Sequence, residues 1–268
     1  MEIRRSARLP KPPGMCTITA AIAAALLPLC VGAAEPSVSC DDQAVFRRAA
    51  VNVFNNVWGT SEKGDPVKGY RQCISVDGDT IKWEWSNFQR GKGRVKSYPH
   101  VTVGWDWDGQ YSAGSPLPML ATASGKLAAD FAVTSRGSGT HNLALDIWMS
   151  REQHPKEPRT QLTHEVMIWL DKHEWDIPRK RQDTVTIDGR KFDLYVDETS
   201  YGKWKVVSFV AKQPMLRGSI SLGPFFELML RRSLLRGDEI INGISFGNEI
   251  GFGEGATTLH KFEITNGR

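Results

Sequence analysis

Thr163-His164-Glu165-Val166-Met167-Ile168-Trp169-Leu170 is an apolar run of β-strand composition with one glutamate set into it. Read as a strand, it alternates: Glu165, Met167 and Trp169 fall on one face, Val166, Ile168 and Leu170 on the other. The second face is a core face. The first joins a carboxylate, a soft thioether and a large flat ring, a surface suited to holding a sugar.

The same logic extends along the chain. Strand-like runs bounded by turn residues recur at 80–85, 100–107, 127–134, 142–149, 184–187, 191–196, 203–211, 240–246 and 258–264. Asp77-Gly78, Asp108-Gly109 and Asp188-Gly189 are hairpin-turn pairs. One segment differs. Gly223-Pro224 leads into Phe225 to Arg236 and stops at Gly237, with Phe225, Leu228, Met229 and Leu235 at helical spacing, predicting a single amphipathic helix. Many short strands and one helix predict an all-β sandwich of two antiparallel sheets. Trp83 and Trp85, and Trp105 and Trp107, are each two apart and should share a face of their strands.

Residues 1–34 read as a leader. Arg4, Arg5, Arg8 and Lys11 precede an apolar run from Cys16 to Val31, and Val31-Gly32-Ala33-Ala34 offers small residues for cleavage. The remainder, 35–268, is expected to form one domain, secreted to the extracellular space or periplasm and free of the membrane. Removing the leader, with four bases and one acid, takes the net charge from +4 to +1. That near-neutral balance points away from nucleic acid and anionic lipid as partners. Cys16 and Cys30 leave with the leader, so Cys40 and Cys73 are expected to form one disulfide.

Two motif matches dissolve on reading. Gly243-Ile244-Ser245-Phe246-Gly247 has the spacing of a nucleophile elbow, but glycine-rich sequence and a strand follow where a helix is required. His164-Glu165 begins like a zinc-protease motif, but Ile168 occupies the second histidine's place. No metal or cofactor is expected. The acids are more informative. Glycosidic bond hydrolysis needs two carboxyl groups facing the scissile oxygen. Glu165 is the first candidate and Glu249, closing Phe246-Gly247-Asn248-Glu249, the second. Asp146 shares a face with Asn142, Ala144 and Trp148, where it could hydrogen-bond Glu165 and separate their pKa values. Glu239 is read as one of several acids in polar turns.

The mature chain resembles glycoside hydrolase family 12, the β-jelly-roll endoglucanases and xyloglucanases. Asn55-Asn56-Val57-Trp58-Gly59, Val95-Lys96-Ser97-Tyr98-Pro99, His164 to Leu170, Ser208-Phe209-Val210-Ala211 and Phe246 to Glu249 resemble family strings in the family's order. The resemblance implies Glu165 as nucleophile, Glu249 as general acid/base and Asp146 as the acid assisting the nucleophile. It also implies Asn56 and Trp58 in the non-reducing-side subsites, with Asn142, Met167 and Trp169 near the cleavage point, and a disulfide near the N-terminus. The implied enzyme is a monomeric, retaining endo-β-1,4-glucanase with an open cleft for cellulose, xyloglucan or mixed-linkage glucan. The alternatives are a xyloglucan-specific hydrolase or transglycosylase and a non-catalytic, lectin-like glucan binder. Ile250-Gly251-Phe252 stands where the family carries Pro-Phe after its acid/base.

Overall fold

A computed structural model describes residues 36–61, 67–90, 95–107, 109, 111–177, 179–198 and 203–267, all within one unit, Ala34–Arg268. The expected leader and Asp108 lie outside the described residues. In chain order the strands are Ser37–Ser39 (β1), Val45–Arg47 (β2), Asn52–Phe54 (β3), Arg71–Asp77 (β4), Thr80–Phe88 (β5), His100–Gly104 (β6), Met119–Leu120 (β7), Leu127–Ser138 (β8), His141–Ser150 (β9), Leu162–His173 (β10), Asp183–Ile187 (β11), Arg190–Glu198 (β12), Lys205–Ala211 (β13), Arg217–Ser221 (β14), Ile240–Gly247 (β15) and Gly253–Asn266 (β16).

They form two sheets. The larger runs β11-β12-β13-β10-β9-β15-β6-β3-β2, with β7 on β15; the smaller runs β1-β4-β5-β16-β8-β14. The expectation of purely antiparallel sheets needs one correction: β13 enters between β12 and β10 and runs parallel to β10. Alternation fills the space between the sheets. Val166, Ile168 and Leu170 join Leu143, Leu145, Ile147, Ile244 and Phe246 of the larger sheet against Ile74, Trp83, Trp85, Phe131 and Leu259 of the smaller. Trp83 and Trp85 therefore share the core face of β5.

Local details depart from the sequence reading in instructive ways. The helix spans Gly223–Arg231 and buries Phe225, Phe226 and Met229. It ends well before Gly237. Ser233 takes φ 54°, and the Ser233 and Leu234 N–H groups bond to the Leu230 and Met229 carbonyls, a Schellman ending without glycine. β6 stops at Gly104, φ 84°, so Trp107 leaves the strand that was to hold it beside Trp105. Asp188 and Gly189 both take positive φ between β11 and β12, as a two-residue primed turn requires. Asp77 pairs with Thr80, making Gly78-Asp79 the turn of the other hairpin. Cys40 and Cys73 are bonded, tying β4 to the segment after β1.

Candidate active site

Strand register lays the outward side chains of the larger sheet in rows running across it. One row passes from Asp197 through Val206, Glu165 and Trp148 to Gly243 and Gly104. The next passes from Tyr195 through Ser208, Met167, Asp146 and Ser245 to Thr102. A third holds Val210, Trp169, Ala144, Gly247 and His100. Two apolar patches bracket the acids: Trp105, Trp148, Leu162, Trp204 and Val206 on one side, Ala144, Met167, Trp169 and Val210 on the other. Trp175 and Tyr195 pack on the second patch. Glu165 and Asp146 thus lie diagonally adjacent on neighbouring strands, as the shared-face argument expects.

Glu249 reaches the same site from the end of β15. Asn142 clamps it three ways: its Oδ1 accepts the Glu249 N–H (2.8 Å), its own N–H donates to the Glu249 carbonyl (3.0 Å), and its Nδ2 donates to Glu249 Oε2. Asn248 anchors the clamp to the opposite sheet. Its Oδ1 accepts from Trp83 Nε1 (2.7 Å) and Thr257 Oγ1 (2.8 Å), and its Nδ2 donates to the Asn142 carbonyl. Asn142 is therefore a support of the Glu249 carboxyl group.

The three acids occupy different electrostatic environments. Glu165 is raised by burial, while the Trp204 Nε1–H it accepts at 2.9 Å and the charge of Arg179 pull it back down. Burial and then the charge of Glu165 push Glu249 up to about 8, against the Asn142 hydrogen bond and Arg179. Asp146, 4% exposed, is held well above the carboxylate range by burial, then by Glu165, Glu249 and Asp106. Each charge opposes ionisation of its neighbours, so burial and mutual repulsion raise all three acids while the Trp204 N–H and Arg179 hold Glu165 back.

The remaining predicted residues separate by role. Trp58, 41% exposed, opens a 3₁₀ turn whose first N–H donates to Asn56 Oδ1 (3.0 Å), so Asn56 caps the turn that presents the ring. Met167 and Trp169 line the second apolar patch, where Trp169 meets Trp175 edge-on at 5.3 Å. Beyond Glu249, Ile250 is fully buried between Ser97 and His141, while Phe252 lies under the Arg90 guanidinium at 4.0 Å. Ser245 bonds to Thr102 Oγ1 at 2.9 Å in a buried network. His164 turns away from Glu165 and meets the Leu234 carbonyl at 2.8 Å.

Sequence reasoning missed Trp204, Arg179 and Asp106, single polar or aromatic residues of connecting segments, and His100 at the start of β6. Tyr98 was visible within Val95 to Pro99 but carried no role. Glu239 needs correction: its side chain is fully buried, with Oε1 3.8 Å from Arg151 and 3.9 Å from His164 Nδ1. It follows Asp238 just before β15, where the chain turns under the helix end, and burial raises its pKa.

A family model described as "Glycosyl hydrolase family 12" matches residues 49–266. The chain is 26% identical over 241 residues to "Endoglucanase S" of Pectobacterium parmentieri, covering 88% of this chain and 89% of the relative. It is 27% identical over 207 residues to the "Probable xyloglucan-specific endo-beta-1,4-glucanase A" of Aspergillus clavatus, covering 74% and 78%. A family 12 xyloglucanase structure from Bacillus licheniformis superposes with a TM-score of 0.78 at 24% identity, covering 85% of this chain and 99% of that one. That likeness extends the jelly-roll description to the whole sandwich.

Proposed function

The chain belongs to glycosyl hydrolase family 12, and from that premise we propose that it is a retaining endo-β-1,4-glucanase with Glu165 as nucleophile and Glu249 as general acid/base. A β-glucan chain lies across the rows of the larger sheet. Glu165 attacks the anomeric carbon as Glu249 passes its proton to the departing glycosidic oxygen, leaving a covalent glycosyl-enzyme. Water then attacks the same carbon, gives its proton to Glu249, and displaces the Glu165 carboxylate.

The observation that carries this reading is the unequal treatment of two glutamates on one groove. Glu165 receives an indole N–H; Glu249 is pushed to about 8 chiefly by burial and by the charge of Glu165. Glycosylation of Glu165 abolishes that charge, so Glu249 becomes more acidic at the step where it must turn from acid to base. Asp146, pushed toward its protonated form by burial and by the charges of Glu165 and Glu249, supports Glu165 as a donor. Trp58, Met167 and Trp169 supply stacking and apolar surface for the sugars, with Asn56 and Asn142 fixing the turn and the acid around them. Residues 1–34 serve as an export signal, and the mature enzyme works outside the cytoplasm as a monomer.

Glu165→Gln and Glu249→Gln should each lose several orders of magnitude of glucan hydrolysis, because each removes a whole step. Undiminished hydrolysis by both variants would falsify the assignment. Proton NMR of early product should show the β-anomer; initial α-anomer would exclude retention. Two of the similar proteins are named for xyloglucan, so reducing-end release is to be compared on xyloglucan, barley glucan, carboxymethylcellulose, xylan and mannan. Cleavage confined to xyloglucan would favour the narrower specificity.

A further inference from the structure

Beside the acids lies a buried histidine–aspartate pair that the two-glutamate mechanism does not use. His100 Nδ1 is 2.6 Å from the Tyr98 carbonyl and Nε2 is 3.0 Å from Asp106 Oδ2. The Tyr98 carbonyl can only accept, which fixes an N–H on Nδ1 and turns Nε2 toward Asp106. The His100 ring stacks on Phe54 (4.9 Å) and on Tyr98 (4.6 Å). Asp106 answers as an anion: Thr102 Oγ1 donates to Oδ2 at 2.6 Å and the Trp107 N–H to Oδ1 at 2.6 Å. Burial opposes that charge, but His100, Thr102 and the Trp107 N–H outweigh it and lower its pKa.

The pair holds Tyr98 in two ways, the His100 N–H on its carbonyl and the His100 ring on its own ring, and the Tyr98 N–H is bonded to the Asn56 carbonyl at 2.9 Å. What Tyr98 presents is unusual. Its hydroxyl is buried without a hydrogen-bond partner, and so is Asp146 Oδ1. After burial, Asp146 is the group that weighs most on the phenol, followed by Glu249, Asp106 and Glu165. A buried donor and a buried acceptor left unpaired in one site each carry a desolvation cost that pairing removes.

We propose that Tyr98 is a positioning residue for the reaction: its phenol donates to Asp146 Oδ1 through one bridging water, and the His100–Asp106 pair locks it there. With Oδ1 engaged as acceptor, the Asp146 proton stays on Oδ2, available to Glu165. No proton is transferred; the arrangement selects one orientation of the carboxyl group. The charged groups around it are Glu165, Glu249 and Asp106, with Arg179 acting on both glutamates.

This rests on Glu165 as nucleophile, and the test separates the two ideas: failure of that assignment appears as hydrolysis surviving Glu165→Gln. For Tyr98→Phe, which keeps the ring and its stacking, kcat on barley glucan should fall roughly 10- to 100-fold, the range for losing a supporting partner, with KM little changed. The acid limb of its kcat profile should move to higher pH, because Glu165 loses its donor. Asp106→Asn should shift the same limb in the wild type, and much less when combined with Tyr98→Phe. An unchanged kcat and acid limb in Tyr98→Phe overturns the proposal, as does a loss confined to KM. Equal shifts from Asp106→Asn in both backgrounds overturn the locking role. If Tyr98→Phe fails to fold, wild-type kcat and acid limb in Asp106→Asn overturn it independently.

Discussion

The two faces of β10 are made from one stretch of chain and obey opposite rules. Val166, Ile168 and Leu170 are fully buried among aliphatic neighbours from both sheets, and any well-fitting hydrophobe would satisfy that surroundings. Glu165, on the other face, is half-buried and depends on an indole from 39 residues away. The first face is specified by pattern, the second by particular partners. Substitutions on the two faces should therefore fail in different currencies, activity on one and stability on the other.

The sharpest contrast is between Glu165→Gln and Ile168→Ala. Loss of the nucleophile should cost several orders of magnitude in kcat while leaving thermal unfolding at neutral pH unimpaired. Ile168→Ala should cost about 2–5 kcal/mol of stability from lost transfer and cavity terms, seen as a lower denaturant midpoint. Its folded fraction should keep near-wild-type kcat. If Ile168→Ala instead abolished turnover in fully folded protein, the two faces would not be separable.

Trp204→Phe tests the outer face more finely. It keeps an aromatic ring near Trp148 and Trp107, which contact the indole at 5.9 and 5.7 Å, and removes only the N–H given to Glu165. A hydrogen bond to a charged group contributes about 1.5–3 kcal/mol. Its loss should raise the Glu165 pKa, so the acid limb of the kcat/KM profile moves up, and turnover falls by about tenfold or more. An unshifted acid limb would mean that Trp204 is packing and no more.

The same division explains what the sequence disclosed. The alternation at 142–149 and 163–170 placed both the core and the outward Asp146 and Glu165, because period-two patterning is local and the register follows from it. The Asp188-Gly189 turn was legible for the same reason. Ser233 ending the helix was not: its positive φ is accepted so that Leu234 and Leu235 can turn back onto the core, a tertiary demand. Trp107 left its strand because Gly104 bends the backbone toward Asn242 (a Cβ there would meet the Asn242 carbonyl at 2.5 Å). Trp204, Arg179 and Asp106 come from connecting segments, and a segment's composition does not state which groove it will border. Glu239 reads as a turn acid until the fold buries it against Arg151 and His164.

The last effect ties the faces together, since it reads chemistry out as stability. Glu249 titrates at about 8 in the folded protein against 4.5 for an ordinary glutamate. A carboxyl whose folded pKa is raised binds its proton more tightly when folded, so its contribution to stability is complete below its unfolded pKa. That contribution declines as the pH rises and is lost on passing through about 8. Above that point the native state holds a buried carboxylate beside Glu165. Glu249→Gln keeps the shape and removes the ionisation. The variant should match wild-type thermal stability near pH 4, where both side chains are neutral, and exceed it by a margin that grows as the pH rises to about 8 and then levels off. The wild-type kcat/KM should fall through the same alkaline range, because Glu249 must be protonated to act first as an acid. Parallel unfolding curves at every pH would show that Glu249 carries no raised pKa, and the alkaline limb would then belong to another group.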